Sequence, residues 1–207
     1  MTTEHTGEGT VDALEALETA RAMRYLKPDP VPEDLLRKLV WGATRASSPG
    51  NSQGWEFVVV RERATKQRLG AAVRERMGRG IRAMPSESEV QRRMLAGAAH
   101  LLEHFADVPV WLVICGRKIY PPQAPSEAMV WSTVYPAGQN LIVTARALGL
   151  GATFTTFHLA AEQEFRETLG IPAEVFLGVS VAVGYPARKH GPVNRKPVEE
   201  VIHWERW

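Results

Sequence analysis

Four short apolar runs alternate along the chain with segments of helical periodicity, and this alternation is the feature that most limits the possible folds. The runs are predicted strands, at 55–60, 110–115, 152–157 and 175–183. The run at 110–115 is apolar throughout, which is typical of a strand buried inside a sheet. Helices between the strands must cover that sheet, so the pattern predicts an α/β or α+β class with one mixed sheet.

The helical segments are defined by apolar residues three or four positions apart. They are predicted from Thr10, from Pro32, and over 62–80, 87–106, 127–148 and 160–169. The first helix is expected to have Leu14 and Leu17 on one side, and the helix at 87–106 to include Val90 and Met94 in its apolar stripe. The strand at 55–60 is expected to be buried on both faces.

Composition indicates one folded domain over residues 1–207. Of the 207 residues, 44% are hydrophobic and 23% are charged, as in ordinary globular proteins. The 25 Lys and Arg against 23 Asp and Glu leave a net charge of +2, too small to predict a nucleic-acid partner. The chain has neither a signal-peptide pattern nor an apolar run that spans a membrane, so a cytoplasmic protein is expected.

Several short motifs follow one another in an order that resembles the nitroreductase family. They are RAMRYLKPDPVP at 21–32, SSPGNSQGWEFVVV at 47–60, QNL at 139–141, ALGLG at 147–151, LGIP at 169–172 and VGYP at 183–186. The resemblance implies an α+β, sandwich-like fold with a mixed central β-sheet flanked by helices. It also implies a homodimer, and we expect the C-terminal arm, 188–207, to pack on the partner subunit because its tryptophans suit an interface.

The resemblance further implies that FMN is held between the two subunits. Guanidinium groups match a phosphate, and a polar edge stabilises the charge of a reduced flavin ring. The family's phosphate-binding residues fall at Arg21, Arg24 and Arg195, and its flavin-ring contacts fall in the loop at 47–53 and near Thr155. The implied cofactor-binding residues are Arg21, Ala22, Met23, Arg24, Ser47, Ser48, Pro49, Asn51, Gln53, Thr155, Thr156 and Arg195.

This chain departs from the family pattern at two places in these motifs. A serine common beside the first arginines is replaced by Ala22, which removes a hydroxyl donor. The proline of the loop is displaced to Pro49, and Gly54 stands where the relatives have another proline. FMN binding is still expected, with a less rigid loop.

The resemblance also implies an enzymatic activity. Hydride would pass from NADH or NADPH through FMN to a small oxidised acceptor, such as a nitroaromatic or a quinone, by a ping-pong mechanism. No catalytic side chain is required, because flavin N5 carries the hydride. Tyr120 and Trp131 are candidates for lining the substrate space, although aromatic residues at helical spacing more often belong to a core. Two alternatives stay open: a specialised member that is a dehalogenase, a flavin-cleaving or an azoline-oxidising enzyme, and a flavin-binding protein without turnover.

A second motif competes with this interpretation. His100, Glu103 and His104 form the HxxEH pattern of one zinc peptidase class. Helical spacing places both histidines on a polar flank, and no third ligand is marked by spacing, whereas a catalytic zinc needs three protein ligands. No metal is therefore expected.

Overall fold

The computed structural model describes residues 11–207 and contains a four-stranded sheet in the order β1-β2-β4-β3. The strands are β1 (Trp55–Val60), β2 (Val110–Arg117), β3 (Gly151–Thr155) and β4 (Val175–Gly184). The helices are α1 (Ala13–Thr19), α2 (Glu33–Ala43), α3 (Arg63–Ala83), α4 (Glu89–Glu103), α5 (Glu127–Ala147), α6 (Phe157–Ala160) and α7 (Glu162–Leu169). All four predicted strands are confirmed. Thr10, the predicted start of the first helix, lies outside the described residues.

The α+β class is confirmed, but the expectation of a mixed sheet is wrong for the described strands, since every neighbouring pair is antiparallel. The number of helices between consecutive strands explains why neighbouring strands are antiparallel. Two helices, α3 and α4, join β1 to β2 and return the chain to the end of the sheet at which β1 finished. The single helix α5 joins β2 to β3, which would give a parallel pair, but β4 lies between them.

Helices cover both faces of the sheet and produce two hydrophobic clusters. One cluster joins α2 and α5 to the sheet, and the other joins α3, α4 and α7 to its opposite face. Between them lies β2, in which only Arg117 is exposed. On the second face the rings of Phe105 and Trp111 stack with centroids 4.1 Å apart, and the indole N–H donates to the Phe105 carbonyl at 2.9 Å.

Helix α5 approaches the sheet closely because two strand residues lack side chains. A Cβ atom at Gly116 would lie 2.5 Å from Val130 Cγ1, and one at Gly178 would lie 2.8 Å from Val134 Cγ2 and 2.9 Å from the Ile114 carbonyl oxygen. Interiors packed this tightly cannot accept an extra methyl group without strain. These glycines therefore set the position of α5 on the sheet.

Several predicted burials are wrong. Leu14 and Leu17 are exposed, because α1 packs mainly on α5 and buries only its residue Ala16. The strand β1 is only partly buried, because it is an edge strand with one neighbour. Val90 and Met94 are 75% and 40% exposed, because α4 forms the wall of an open groove at its N-terminal half.

Candidate functional site

A groove of about 790 Å³ lies at one end of the sheet and contains three of the predicted phosphate-binding residues. Arg21 and Arg24 reach it from the N-terminal part of the chain, and Arg195 reaches it from the C-terminal part. Ala22 and Met23 also line it. The structure thus brings together residues that are more than 170 positions apart in sequence.

Backbone hydrogen bonds explain how the two chain ends meet. The segment after α1 runs past the start of β3, where the Met23 N–H donates to the Ala152 carbonyl at 2.9 Å. It then crosses the end of β4, where the Lys27 N–H donates to the Tyr185 carbonyl at 2.8 Å. The chain leaving β4 turns back along this segment, and the Val193 N–H donates to the carbonyl of Glu18 at 2.8 Å.

The groove has a strong positive charge. Its cations are Arg21, Arg24, Arg93, Arg188, Lys189 and Arg195, and no Asp or Glu belongs to the described residues that line it. Among residues 11–207, the carboxylate partner of these cations is that of Glu89, which lies 2.8 Å from Arg93. Burial lowers the pKa of Arg24, and the neighbouring charge of Arg21 lowers it further. Like charges held together without carboxylates are typical of a site that binds an anion.

Sequence reasoning missed three of these cations: Arg93, Arg188 and Lys189. The guanidinium of Arg188 lies 3.5 Å from the centroid of the Tyr25 ring. The Tyr25 ring also stacks on the ring of His100, with centroids 4.3 Å apart. The sequence does contain a signal for Arg188 and Lys189, since they follow the end of β4 by four and five residues and precede Arg195 by seven and six.

The first histidine of the HxxEH motif belongs to this stack. His100 packs on Tyr25, and the Nδ1 atom of His104 lies 3.1 Å from the Asp107 carboxylate. Burial lowers the pKa of His100, and His104 and Arg188 act in the same direction. Across residues 11–207, no three His, Cys, Asp or Glu side chains are placed to hold a metal ion.

The predicted ring-binding loop has a conformation that few residue types adopt. Gly50, Asn51 and Gln53 have positive φ angles of 58°, 52° and 49°, which glycine and asparagine accept more readily than other residues. The Ser48 hydroxyl oxygen accepts a hydrogen bond from the Gln53 N–H at 3.1 Å. A Cβ atom at Gly50 would lie 2.3 Å from the ring of Tyr120, so Tyr120 packs directly on this loop.

Trp131 lies at the same end of the sheet as the loop. Its ring stacks on Tyr135 with centroids 5.6 Å apart and meets Phe176 edge-on at 5.8 Å. The indole N–H donates to the Glu127 carboxylate at 3.1 Å. The two predicted substrate-lining residues, Tyr120 and Trp131, are therefore both near the loop, and Trp131 is partly buried in a row of aromatic side chains.

The loop and the arginine groove lie at opposite ends of the sheet in one chain. The loop precedes β1, and the Arg117 N–H at the end of β2 donates to the Gly54 carbonyl at 2.7 Å. The groove is at the Val110 end, since Val110 pairs with Val183, which pairs with Ala152. The eight residues of β2 span about 23 Å between these ends. A single chain thus does not bring the two predicted sets together.

Thr155 and Thr156 occupy the turn between β3 and α6. The Thr155 hydroxyl is buried and donates to the Ser180 carbonyl at 3.0 Å, so its side chain is engaged inside the protein. Thr156 is exposed at the start of α6. Below the turn, fully buried His158 places Nδ1 2.8 Å from the Ser180 hydroxyl. Of these two threonine side chains, that of Thr156 is the one exposed to solvent.

Comparison with known proteins decides the family. A sequence model of the Nitroreductase family matches residues 17–185. The chain belongs to the nitroreductase family. The match covers the segments that form the groove and the loop, apart from the C-terminal residues that contain Arg195.

Relatives within the family carry different names. An NADH dehydrogenase of Thermus thermophilus is 32% identical, over 95% of this chain and 99% of that protein. A 5,6-dimethylbenzimidazole synthase of Rhodospirillum rubrum is 30% identical, over 94% of this chain and 90% of that protein. A Desulfitobacterium hafniense nitroreductase with bound FMN has the same fold, with a TM-score of 0.72 at 20% identity over 93% of this chain and 98% of that chain. Family membership indicates a flavin oxidoreductase and leaves the specific reaction open.

No helix within residues 11–207 is long and apolar enough to cross a membrane.

Proposed function

We propose that this chain is an FMN-dependent oxidoreductase that takes hydride from NADH or NADPH and passes it to a small oxidised acceptor by a ping-pong mechanism. The observation that carries the proposal is the groove, in which Arg21, Arg24 and Arg195 meet and pair with no carboxylate among residues 11–207. We further propose a cytoplasmic location, and a single domain over 1–207.

The groove fits the phosphate end of FMN. A phosphate monoester carries a charge of about −1.5 to −2 at neutral pH and accepts several charge-assisted hydrogen bonds. Arg21 and Arg24 repel each other when no anion is present, and a bound phosphate relieves that repulsion. The small side chain of Ala22 supplies no hydroxyl donor, so the arginines and the backbone around them hold the phosphate.

The chemistry that FMN supplies when bound is two-electron transfer at N5 between a reduced nicotinamide and the acceptor. The chain's own residues position the ring and control access to it. In this proposal the backbone at Thr155 and Thr156 faces the N5 side, and the polar groups of Ser48, Asn51 and Gln53 lie along the pyrimidine edge. Prealigned donors there stabilise negative charge that develops on reduction.

Two copies of the chain complete each site in this proposal. The groove and the loop are separated along β2, so a flavin held by the arginines of one protomer meets the loop of its partner. The C-terminal arm, 188–207, supports a homodimer, because five of its large apolar side chains are exposed to water in the single chain. These are Val198, Val201, Ile202, Trp204 and Trp207, and all are exposed. Packed on the partner subunit, they leave water.

The acceptor binds beside the loop in this proposal, between Tyr120 and Trp131. These aromatic side chains offer flat surfaces for a conjugated acceptor such as a nitroaromatic or a quinone. A specialised reaction within the family is the second candidate, favoured by the 30% identity to a 5,6-dimethylbenzimidazole synthase. A comparison of turnover with nitroaromatics, quinones and oxygen distinguishes the two.

The test begins with the visible spectrum and metal content of the purified protein, followed by anaerobic addition of NADH or NADPH. Yellow protein that is bleached by a nicotinamide and recoloured by a quinone supports the proposal. Yellow protein that no nicotinamide bleaches supports a flavin-binding protein without turnover. Colourless protein with one zinc per chain rejects the flavin function.

A variant tests the phosphate site itself. Arg24→Ala removes a charge-assisted contact worth about 1.5–3 kcal/mol, so FMN affinity should fall at least about tenfold. Arg37→Ala is the matched control, since Arg37 is an exposed arginine on α2 paired with Glu33. Equal FMN retention in the two variants contradicts a phosphate role for Arg24.

A further inference from the structure

The groove has more positive charge than one flavin phosphate requires. Arg21, Arg24, Arg188, Lys189 and Arg195 form no ion pair with a carboxylate among residues 11–207. A flavin monophosphate neutralises at most about two of these charges. The remaining cations lie on the exposed side of the groove, where their clustered charge favours the binding of a second anion.

Arg188 and Lys189, which the FMN phosphate is not expected to neutralise, occupy a separate position in the groove. Arg24 lies against Gly97 of α4, since a Cβ atom at Gly97 would be 3.0 Å from Arg24 Cδ. Arg188 lies over Tyr25, which stacks on His100. Because His100 follows Gly97 by three residues, the Arg188 stack lies about 4.5 Å further along α4.

The stack also fixes the orientation of Arg188. Its guanidinium lies 3.5 Å from the ring centroid of Tyr25, so one face of the group is covered and its N–H donors at the edge stay free. A guanidinium held in this way loses little conformational freedom when it binds a phosphate. Lys189 follows directly and adds a second charge in the groove.

The rest of the groove wall includes exposed apolar side chains. Val90 and Met94 line the groove and expose 75% and 40% of their surfaces, although helical spacing predicts them in the core. They offer an apolar surface to the organic part of a bound ligand. The groove volume of about 790 Å³ lies within the range of nucleotide-sized pockets and is more than one phosphate needs.

We propose that the groove holds two phosphate-bearing groups side by side: the FMN phosphate on Arg21, Arg24 and Arg195, and a phosphate of the ADP half of the nicotinamide dinucleotide on Arg188 and Lys189. The assignment of Arg188 and Lys189 to the nicotinamide dinucleotide rests on the proposed function, because it places the hydride donor in the flavin groove. It makes the ADP half, and not the nicotinamide alone, a determinant of donor binding.

The experiment is a calorimetric titration of FMN-loaded protein with 5′-ADP and with 2′,5′-ADP. Both probes lack the nicotinamide, so binding does not depend on turnover. Arg188→Ala should weaken probe binding at least about tenfold, as expected for loss of a charge-assisted contact, while FMN affinity changes less than about twofold. Arg37→Ala, on α2, should leave both affinities unchanged.

The two probes identify the phosphate that is recognised. Tighter binding of 2′,5′-ADP assigns the position to the 2′-phosphate of NADPH, and equal binding assigns it to the 5′-phosphate shared with NADH; either result supports the proposal. Probes that displace FMN, fail to bind or bind Arg188→Ala equally well overturn it. A chain that binds no FMN but binds ADP through Arg188 rejects the flavin function and leaves the phosphate position standing.

Discussion

The buried histidine below the β3–α6 turn should make the fold sensitive to acid. His158 has no exposed surface, and its Nδ1 atom lies 2.8 Å from the Ser180 hydroxyl. The Leu177 carbonyl faces the ring, but no described residue makes a hydrogen bond of normal geometry to Nε2. Burial lowers the pKa of His158 to about 4, so the imidazole is neutral at pH 7.

The magnitude follows from the difference between the folded and unfolded pKa. An unfolded histidine titrates near 6.5, and each pH unit of difference is worth about 1.4 kcal/mol. Below pH 6.5 the unfolded chain binds this proton first, so stability falls as the pH falls and levels off below about 4. With the folded pKa of His158 at about 4, the loss totals about 3 kcal/mol.

Urea unfolding at pH 7.5, 6.5, 5.5 and 4.5, at one fixed FMN concentration, measures this effect. His158→Gln removes the titration and keeps a polar group near Ser180. The free energy of unfolding of the wild type should approach that of the variant as the pH falls, by about 1.4 kcal/mol per unit below 6.5. The difference between the free energies of unfolding of the two proteins also cancels the contributions of His100 and His190, because both proteins contain them. The pKa values of these two histidines are lowered as well. Parallel pH profiles for the two proteins would refute the reasoning.

Three further predictions concern packing and assembly. Gly178→Ala should lower the free energy of unfolding by about 1–3 kcal/mol in a denaturant titration, whereas Gly78→Ala, where the new Cβ meets no atom within 4 Å, should not destabilise the protein. Lys66→Met should lower the free energy of unfolding by about 1–3 kcal/mol, because buried Lys66 Nζ donates to the Val108 carbonyl at 2.6 Å. An unchanged denaturant midpoint would contradict this prediction. Deleting 197–207 should convert a dimer to a monomer in light scattering, and an unchanged mass would argue against the arm as an interface.

The elements with strong local patterns could be predicted from the sequence. The apolar run at 110–115 and the loop of serine, glycine and asparagine before Trp55 can be recognised without knowledge of distant residues, and both predictions are confirmed. The direction of neighbouring strands could not be derived in this way. It depends on how many helices connect the strands and on β4 lying between β2 and β3.

The candidate site was predictable only in part, for a similar reason. Residue spacing on α4 identifies an apolar stripe but does not show that Val90 and Met94 line an open groove. Arg195 was assigned with Arg21 through the family resemblance, because nothing in local sequence connects two chain ends. The nearness of Arg188 to Arg195 in sequence is a signal, but its position over Tyr25 depends on packing that local sequence does not show.

The separation of the groove and the loop along β2 has a genetic consequence. If each flavin lies between the groove of one protomer and the loop of the other, defects in the two regions should complement in mixed dimers. Arg24→Ala damages the groove, and Gly50→Ala displaces Tyr120 from the loop. Neither variant alone forms an intact site, but random pairing of equal amounts restores about a quarter of the sites. No recovery in such a mixture would mean that one chain supplies both halves.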